Sequence, residues 1–247
     1  RLRRRLARSR IPMAATALAA AVAVVALAAP LPAQSGSVDG TVELVGDPPS
    51  SEPVKVTSDQ RYCGDSVAAR QVVAKSGGVR NAVVWIEGAG GEPEPRSRTL
   101  LNDGCRFVPG VLAAAVGDTL VVENRDSLLH NTNMSQTYTR GELEGESRPL
   151  GNFSLPFAGM SVEKPELLEA PGVVDVICDA HGWMEARIRV FDHPHFSVTD
   201  GRGRFTIEGV PPGTYTLHVR HPAVGSLERR VTVEPGARTR TDLELGR

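Results

Sequence analysis

The chain has 247 residues, with 28 basic and 29 acidic side chains, six histidines, three cysteines and 40% hydrophobic residues. That length holds one large all-β domain or two small ones. Residues 1–33 contain six Arg and no acid, so the remainder has 22 basic against 29 acidic residues, a net charge of −7. A domain that acidic is a poor ligand for nucleic acid and is suited to steering towards a basic partner face.

The chain opens on "RLRRRLARSR", followed by the Ala-dominated run "IPMAATALAAAVAVVALAAP" and the small and turn residues of "LPAQSG". This is the n-, h- and c-region order of a secretory signal peptide over 1–33, with cleavage after Ala28 or Ala33. An uncleaved anchor is the alternative, because the apolar run almost reaches bilayer length. The expectation is a periplasmic or secreted protein with no stable membrane span once the leader is removed.

After the leader no long amphipathic helix is predicted. Short runs rich in Val, Ile, Leu and Thr alternate with Gly and Pro: "GTVELVG", "RQVVAK", "NAVVWIEG", "DTLVVEN", "NFSLPF", "GVVDVIC", "ARIRVF", "GRFTIEGV", "GTYTLHVR", "ERRVTVEPG" and "RTDLEL". Many short strands at this spacing predict an all-β sandwich or barrel. Glu87–Thr99 and the polar Ser135–Gly151 read as long loops. An exported chain meets an oxidising compartment, and three cysteines leave one thiol unpaired. Cys63 and Cys105 lie in turns beside Gly64 and Gly104 and are the expected disulfide. The competing reading leaves all three thiols free or metal-bound.

The stretch "VVDVICDAHGWMEARIRVF", Val173 to Phe191, ends a strand in a thiol, an imidazole and a thioether: Cys178, His181 and Met184. Taken singly, such residues usually pack in cores. Together they are a soft donor set that suits copper, for which a weak axial Met beside a His/His/Cys plane is a known arrangement. Zinc seldom uses Met. The set needs one more His, from His130, His193, His195, His218 or His221. His130 stands out, because it follows a strand that breaks at Asn124-Arg125-Asp126 and precedes Asn131.

The C-terminal stretch "TDGRGRFTIEGVPPGTYTLHVRHP" resembles the carboxypeptidase regulatory-like, transthyretin-type β module over about residues 198–247. A segment that short cannot complete a sandwich by itself, so it must borrow strands from the preceding domain or pack tightly on it. No chemistry is expected there.

"VVENRDSLLHN" with "GVVDVICDAHGWM" resembles the cupredoxin family, the plastocyanin and azurin type of blue-copper protein. "GSVDGTVELVGDPP" and "NAVVWIEG" resemble an exported bacterial subset with a regulatory-like tail, some of which carry methylamine-utilisation labels. The resemblance implies a Greek-key cupredoxin sandwich over 36–192 and a small β module over 193–247 packed on it. It implies one type 1 copper ion with His130, Cys178 and His181 equatorial and Met184 axial. Asn131 is implied to tie the two ligand loops together. Trp183 reads either as a cap over the site or as ordinary packing. The loop C-x-x-H-x-x-M is shorter than in plastocyanin or azurin. Gly110, after Pro109, stands where relatives often place another His.

A one-electron carrier with a protein redox partner is the function so implied. The alternatives are a copper carrier or storage protein and a metal-free adhesion or assembly module. The sequence has no G-x-S-x-G, H-E-x-x-H or P-loop pattern, and its single H-x-H, His193-Pro194-His195, reads as a turn between domains. No enzymatic role is expected.

Overall fold

The computed structural model describes residues 34–246 apart from Ser51, Arg70, Gln71 and Lys75. The segment read as a signal peptide, 1–33, lies outside the described residues. The described chain is an all-β sandwich protein in which one α-helical turn is found, α1 (Gln60–Cys63).

Two sheets face each other around the first core. One has the order β10 (Ser147–Leu155), β9 (His130–Tyr138), β12 (Gly172–Ile177), β13 (Glu185–Phe191) and β7 (Val111–Ala115). The other has the order β11 (Ser161–Lys164), β8 (Thr119–Asn124), β5 (Ser97–Asn102) and β6 (Phe107–Val108). Pairing is antiparallel except for β13 with β7 and β5 with β8, which are parallel. The alternation explains why these segments are strands. In β8, Leu120, Val122 and Asn124 point inward and their neighbours outward. In β12, Gly172, Val174 and Val176 point inward, and the next inward position is Cys178. Leu100, Phe107, Leu120, Val122, Met134, Leu155, Leu168, Val174, Val176 and Ile188 fill this core with Cys178 and Met184. Each fully buried side chain of this size contributes about 1.5–3 kcal/mol of hydrophobic stabilisation.

A second core is enclosed by two further sheets. One has the order β14 (Phe196–Val198), β4 (Val83–Glu87), β16 (Gly213–His221) and β17 (Gly225–Val233). The other places β1 (Gly36–Leu44) between β15 (Arg204–Val210) and the parallel strands β18 (Arg238–Arg240) and β19 (Leu243–Leu245). Val38, Val42, Val84, Ile86, Phe205, Ile207, Leu217, Val219, Val231 and Val233 pack between them. The sheets cut across the sequence boundary at 192/193. The C-terminal strands take β1 from the start of the described chain and β4 from its middle, and so complete a core that the segment 193–247 alone would not enclose. Gly40 is what lets β1 lie in this crevice, since a Cβ there would collide with the Thr241 carbonyl oxygen. Val83, Ala113 and Phe191, with Trp85, Val111, Phe196 and Val198 against them, form a third apolar cluster that includes residues of both sheet systems.

Two expectations need correction. The polar segment 135–151 is not one long loop. Strand β9 continues to Tyr138 and β10 starts at Ser147, with Ser147 opposite Thr137 and Leu155 opposite His130. The outward-facing Ser, Thr and Asn positions of this hairpin face water, so polarity there marks one side of a sheet rather than a loop. The run "RQVVAK" forms no regular strand among its described residues, where Val73 makes an isolated bridge to Val79. A short hairpin of β2 (Val54–Lys55) and β3 (Ser66–Val67) instead flanks α1.

Candidate metal centre

The site is built where β8 hands over to β9 and β12 to β13. Asn124, the last residue of β8, is fully buried. Its Nδ2 donates to the carbonyls of Leu128 at 2.8 Å and Leu155 at 2.7 Å, while its Oδ1 accepts from Asp126 N–H at 3.0 Å. These bonds fold the connection back and deliver His130 to the start of β9. On the other side, Cys178 continues the inward face of β12. His181 N–H donates to Cys178 O, Met184 N–H to His181 O and Cys178 N–H to Met184 O, at 3.2, 2.7 and 3.1 Å. The short C-x-x-H-x-x-M loop is thus a closed double turn that leads straight into β13.

His130, Cys178 and His181 converge. His130 Nδ1 lies 3.0 Å from His181 Nδ1, and Cys178 Sγ lies 3.6 Å from His181 Nδ1. The three donor atoms all lie within 4.8 Å of one another. Exposure is 0% for His130 and 1% for each of Cys178, His181 and Met184. Met184 belongs to the same buried cluster as Cys178. The outer nitrogens of both rings are held by carboxylates: His130 Nε2 by Asp126 Oδ2 at 2.9 Å and His181 Nε2 by Asp59 Oδ2 at 3.0 Å. An ionised carboxylate only accepts, so these contacts put a ring proton on each Nε2, and in the neutral ring Nδ1 then holds the lone pair. Burial holds the pKa of His130 below its ordinary range, against the Asp126 contact that raises it, which favours the neutral imidazole. Two imidazole nitrogens and a thiol converging on one point fit a borderline-soft transition metal ion such as copper.

The residues expected to support the site are beside it. Asn131 Oδ1 accepts from Asp179 N–H at 2.8 Å and lies 3.3 Å from Cys178 Sγ, so the side chain joins the two ligand segments. Its Nδ2 donates to Asp179 Oδ2 at 2.7 Å and Asn152 Oδ1 at 2.8 Å. Asn133 and Asn152 also donate to Asp179, and the donors, Asn133 first, hold its carboxyl below the usual carboxylate range. The Trp183 ring lies against His181, with centroids 5.1 Å apart, and its Nε1 donates to Cys105 O at 3.1 Å. It packs on the site and ties the ligand loop to the disulfide segment.

Cys63 and Cys105 are bonded to each other, with Cα atoms 5.8 Å apart, and Cys178 is a free buried thiol. His193 and His195 lie in the turn between β13 and β14, where His195 N–H donates to His193 Nδ1 at 3.2 Å. They do not join the cluster, nor do His218, which stacks on Trp85, or His221. Asp59 and Asp126 were missed by sequence reasoning. Asp126 carried a weak signal, four residues before His130. Asp59 carried none, being 122 residues from the His181 it holds.

A family model described as the carboxypeptidase regulatory-like domain matches residues 179–246, starting upstream of the 198–247 stretch that carries the resemblance in the sequence. Among solved structures, a Cu(I) amicyanin variant is 16% identical, over 44% of this chain and 98% of its own, at a TM-score of 0.29. A purple cupredoxin from Nitrosopumilus maritimus is 24% identical, over 38% of this chain and 98% of its own, at 0.29. The Cu-containing nitrite reductase of Thermus scotoductus SA-01 is 25% identical, over 40% of this chain and 23% of its own, at 0.29. A search of curated proteins finds no match. Over residues 179–246 the chain is similar to the carboxypeptidase regulatory-like domain, and its structural neighbours are cupredoxins.

Proposed function

We propose that this chain is an exported mononuclear copper protein that carries one electron at a time. Its ligands are His130, Cys178 and His181, with Met184 as the weak fourth donor. The observation that carries the reading is the convergence of two imidazole Nδ1 atoms, 3.0 Å apart, on a buried thiol 3.6 Å from one of them. A copper ion held by a thiolate and two imidazoles supplies a one-electron couple. The protein holds the imidazoles by their outer nitrogens and anchors the thiol loop through Asn131. It also keeps the donors out of water. Ligands that are at most 1% exposed favour electron transfer over chemistry on a bound substrate, because an electron crosses packed side chains and a substrate does not.

On this reading the partner is a redox protein, drawn by the acidic balance of 22 basic against 29 acidic residues outside 1–33. The place of work is the periplasm or the exterior. Among the described residues no helix is long and apolar enough to cross a membrane, and the Cys63–Cys105 disulfide suits an oxidising compartment. The regulatory-like module has a structural part. The discriminating experiment loads the protein with one equivalent of copper, cycles it by voltammetry and challenges it with a chelator. A reversible one-electron wave with slow copper loss supports the electron carrier. Rapid surrender of copper to the chelator supports delivery or storage instead.

A further inference from the structure

Two carboxylates from distant parts of the chain do the same job on the two histidines. Asp126 Oδ2 takes His130 Nε2 at 2.9 Å, and Asp59 Oδ2 takes His181 Nε2 at 3.0 Å. When both rings are neutral with the proton on Nε2, the two Nδ1 lone pairs face each other across 3.0 Å. A cation against both relieves the repulsion between them.

The carboxylates are also joined to each other. Asp59 directly precedes α1, which ends at Cys63, and Cys63 is bonded to Cys105. The backbone N–H groups of Gly104 and Cys105 donate to Asp126, each at 2.8 Å. Asp59 has left-handed backbone angles, φ 50 and ψ 32, which Asp tolerates better than most residues. Its neighbour Ser58 donates from Oγ to Ala180 O at 3.0 Å, so the segment is also tied to the ligand loop. The disulfide therefore connects both carboxylates in one frame around the site. Asp126 is 4% exposed at its side chain, and Asp59 is 49% exposed.

We propose, resting on the copper reading, that Asp59 and Asp126 act as a pair of positioning residues. They pin both imidazoles by Nε2, aim both Nδ1 atoms inward and bias a bound copper ion towards Cu(II). The bias follows from charge, since each carboxylate attracts the doubly charged ion more than the singly charged one. Asp126 has the larger effect because it is buried, where screening is weak.

The test uses the full chain and its D126N and D59N variants, each first checked for strand content by circular dichroism. In copper-free wild-type protein, nitrogen NMR should find the proton on Nε2 of both rings. D126N should perturb the tautomer of His130 and D59N that of His181. In copper-loaded protein at a fixed ambient potential, D126N should raise the Cu(I) to Cu(II) ratio about tenfold, which is 59 mV for a one-electron couple. D59N should raise it in the same direction by a smaller factor. Asp126 also accepts from Gly104 and Cys105, so if D126N does not fold, the half-exposed D59N decides the matter. Nδ1–H tautomers in the copper-free wild type, or an unmoved ratio in folded D59N, would overturn the proposal. A wild-type protein that holds no copper while carrying both protons on Nε2 would sink the copper reading and uphold the pinning.

Discussion

Replacing Asn131 with Ala tests how the two ligand segments are held together. Asn131 is 7% exposed and lies at the second position of β9. Its removal strips Asp179 N–H of its acceptor at 2.8 Å and deletes the donations to Asp179 Oδ2 and Asn152 Oδ1. A neutral hydrogen bond contributes about 0.5–1.5 kcal/mol net, and one to a charged group about 1.5–3 kcal/mol. Asp179 is exposed and keeps Asn133 and Asn152, so water replaces part of what it loses. The expected cost is about 2–3 kcal/mol, read from the denaturant midpoint of copper-free protein near pH 7. Asn131→Asp should cost more, because a second carboxylate would face Asp179 where an amide now donates. A loss below about 0.5 kcal/mol for Asn131→Ala would show that other contacts anchor the Cys178 loop.

Three further outcomes are expected. Removing the disulfide as Cys63→Ser with Cys105→Ser opens a loop of 42 residues, and the chain-entropy estimate for that length is about 4 kcal/mol of lost stability at 25 °C; no change in the unfolding midpoint would contradict it. Burial pushes the pKa of His193 down to about 4 from 6.5. The unfolded chain therefore takes the proton first, and stability is full above about pH 6.5 and falls as pH drops. The expected loss is about 3 kcal/mol by pH 4, with buried His195 and His221 acting in the same direction. Denaturant midpoints at stepped pH measure it, and a curve that is flat from pH 7 to 4 would refute it. Met184→Leu should retain copper and raise the reduction potential, since a weak donor to Cu(II) is lost; voltammetry that finds the potential unchanged would show that the thioether does not reach the metal.

The parts of the fold that obey local rules were legible in the sequence. The alternation of "TLVVEN" and "GVVDVIC" marked both strands that lead to the ligands, and the inward phase of Val174 and Val176 carried through to Cys178. The Cys63–Cys105 pairing followed from an odd count and turn positions. Polar, one-sided strands were less legible. In β9 and β10 the outward face is Ser, Thr and Asn, and composition alone made a loop of a hairpin. Contacts across long sequence separations were not legible at all. No local pattern tells β1 to enter a sheet with residues 204–210 and 238–245, or Asp59 to meet His181. Such pairings come from the global closure of two cores.

The visible absorption spectrum of the copper-loaded, oxidised protein tests the central claim most directly. With Cys178 sulfur as an equatorial ligand the account predicts an intense thiolate-to-copper charge-transfer band, which Cys178→Ser abolishes because a hydroxyl is a harder and far weaker donor. Copper-loaded protein without that band, or a band that survives Cys178→Ser, would contradict the assignment of His130, Cys178 and His181 as a copper site.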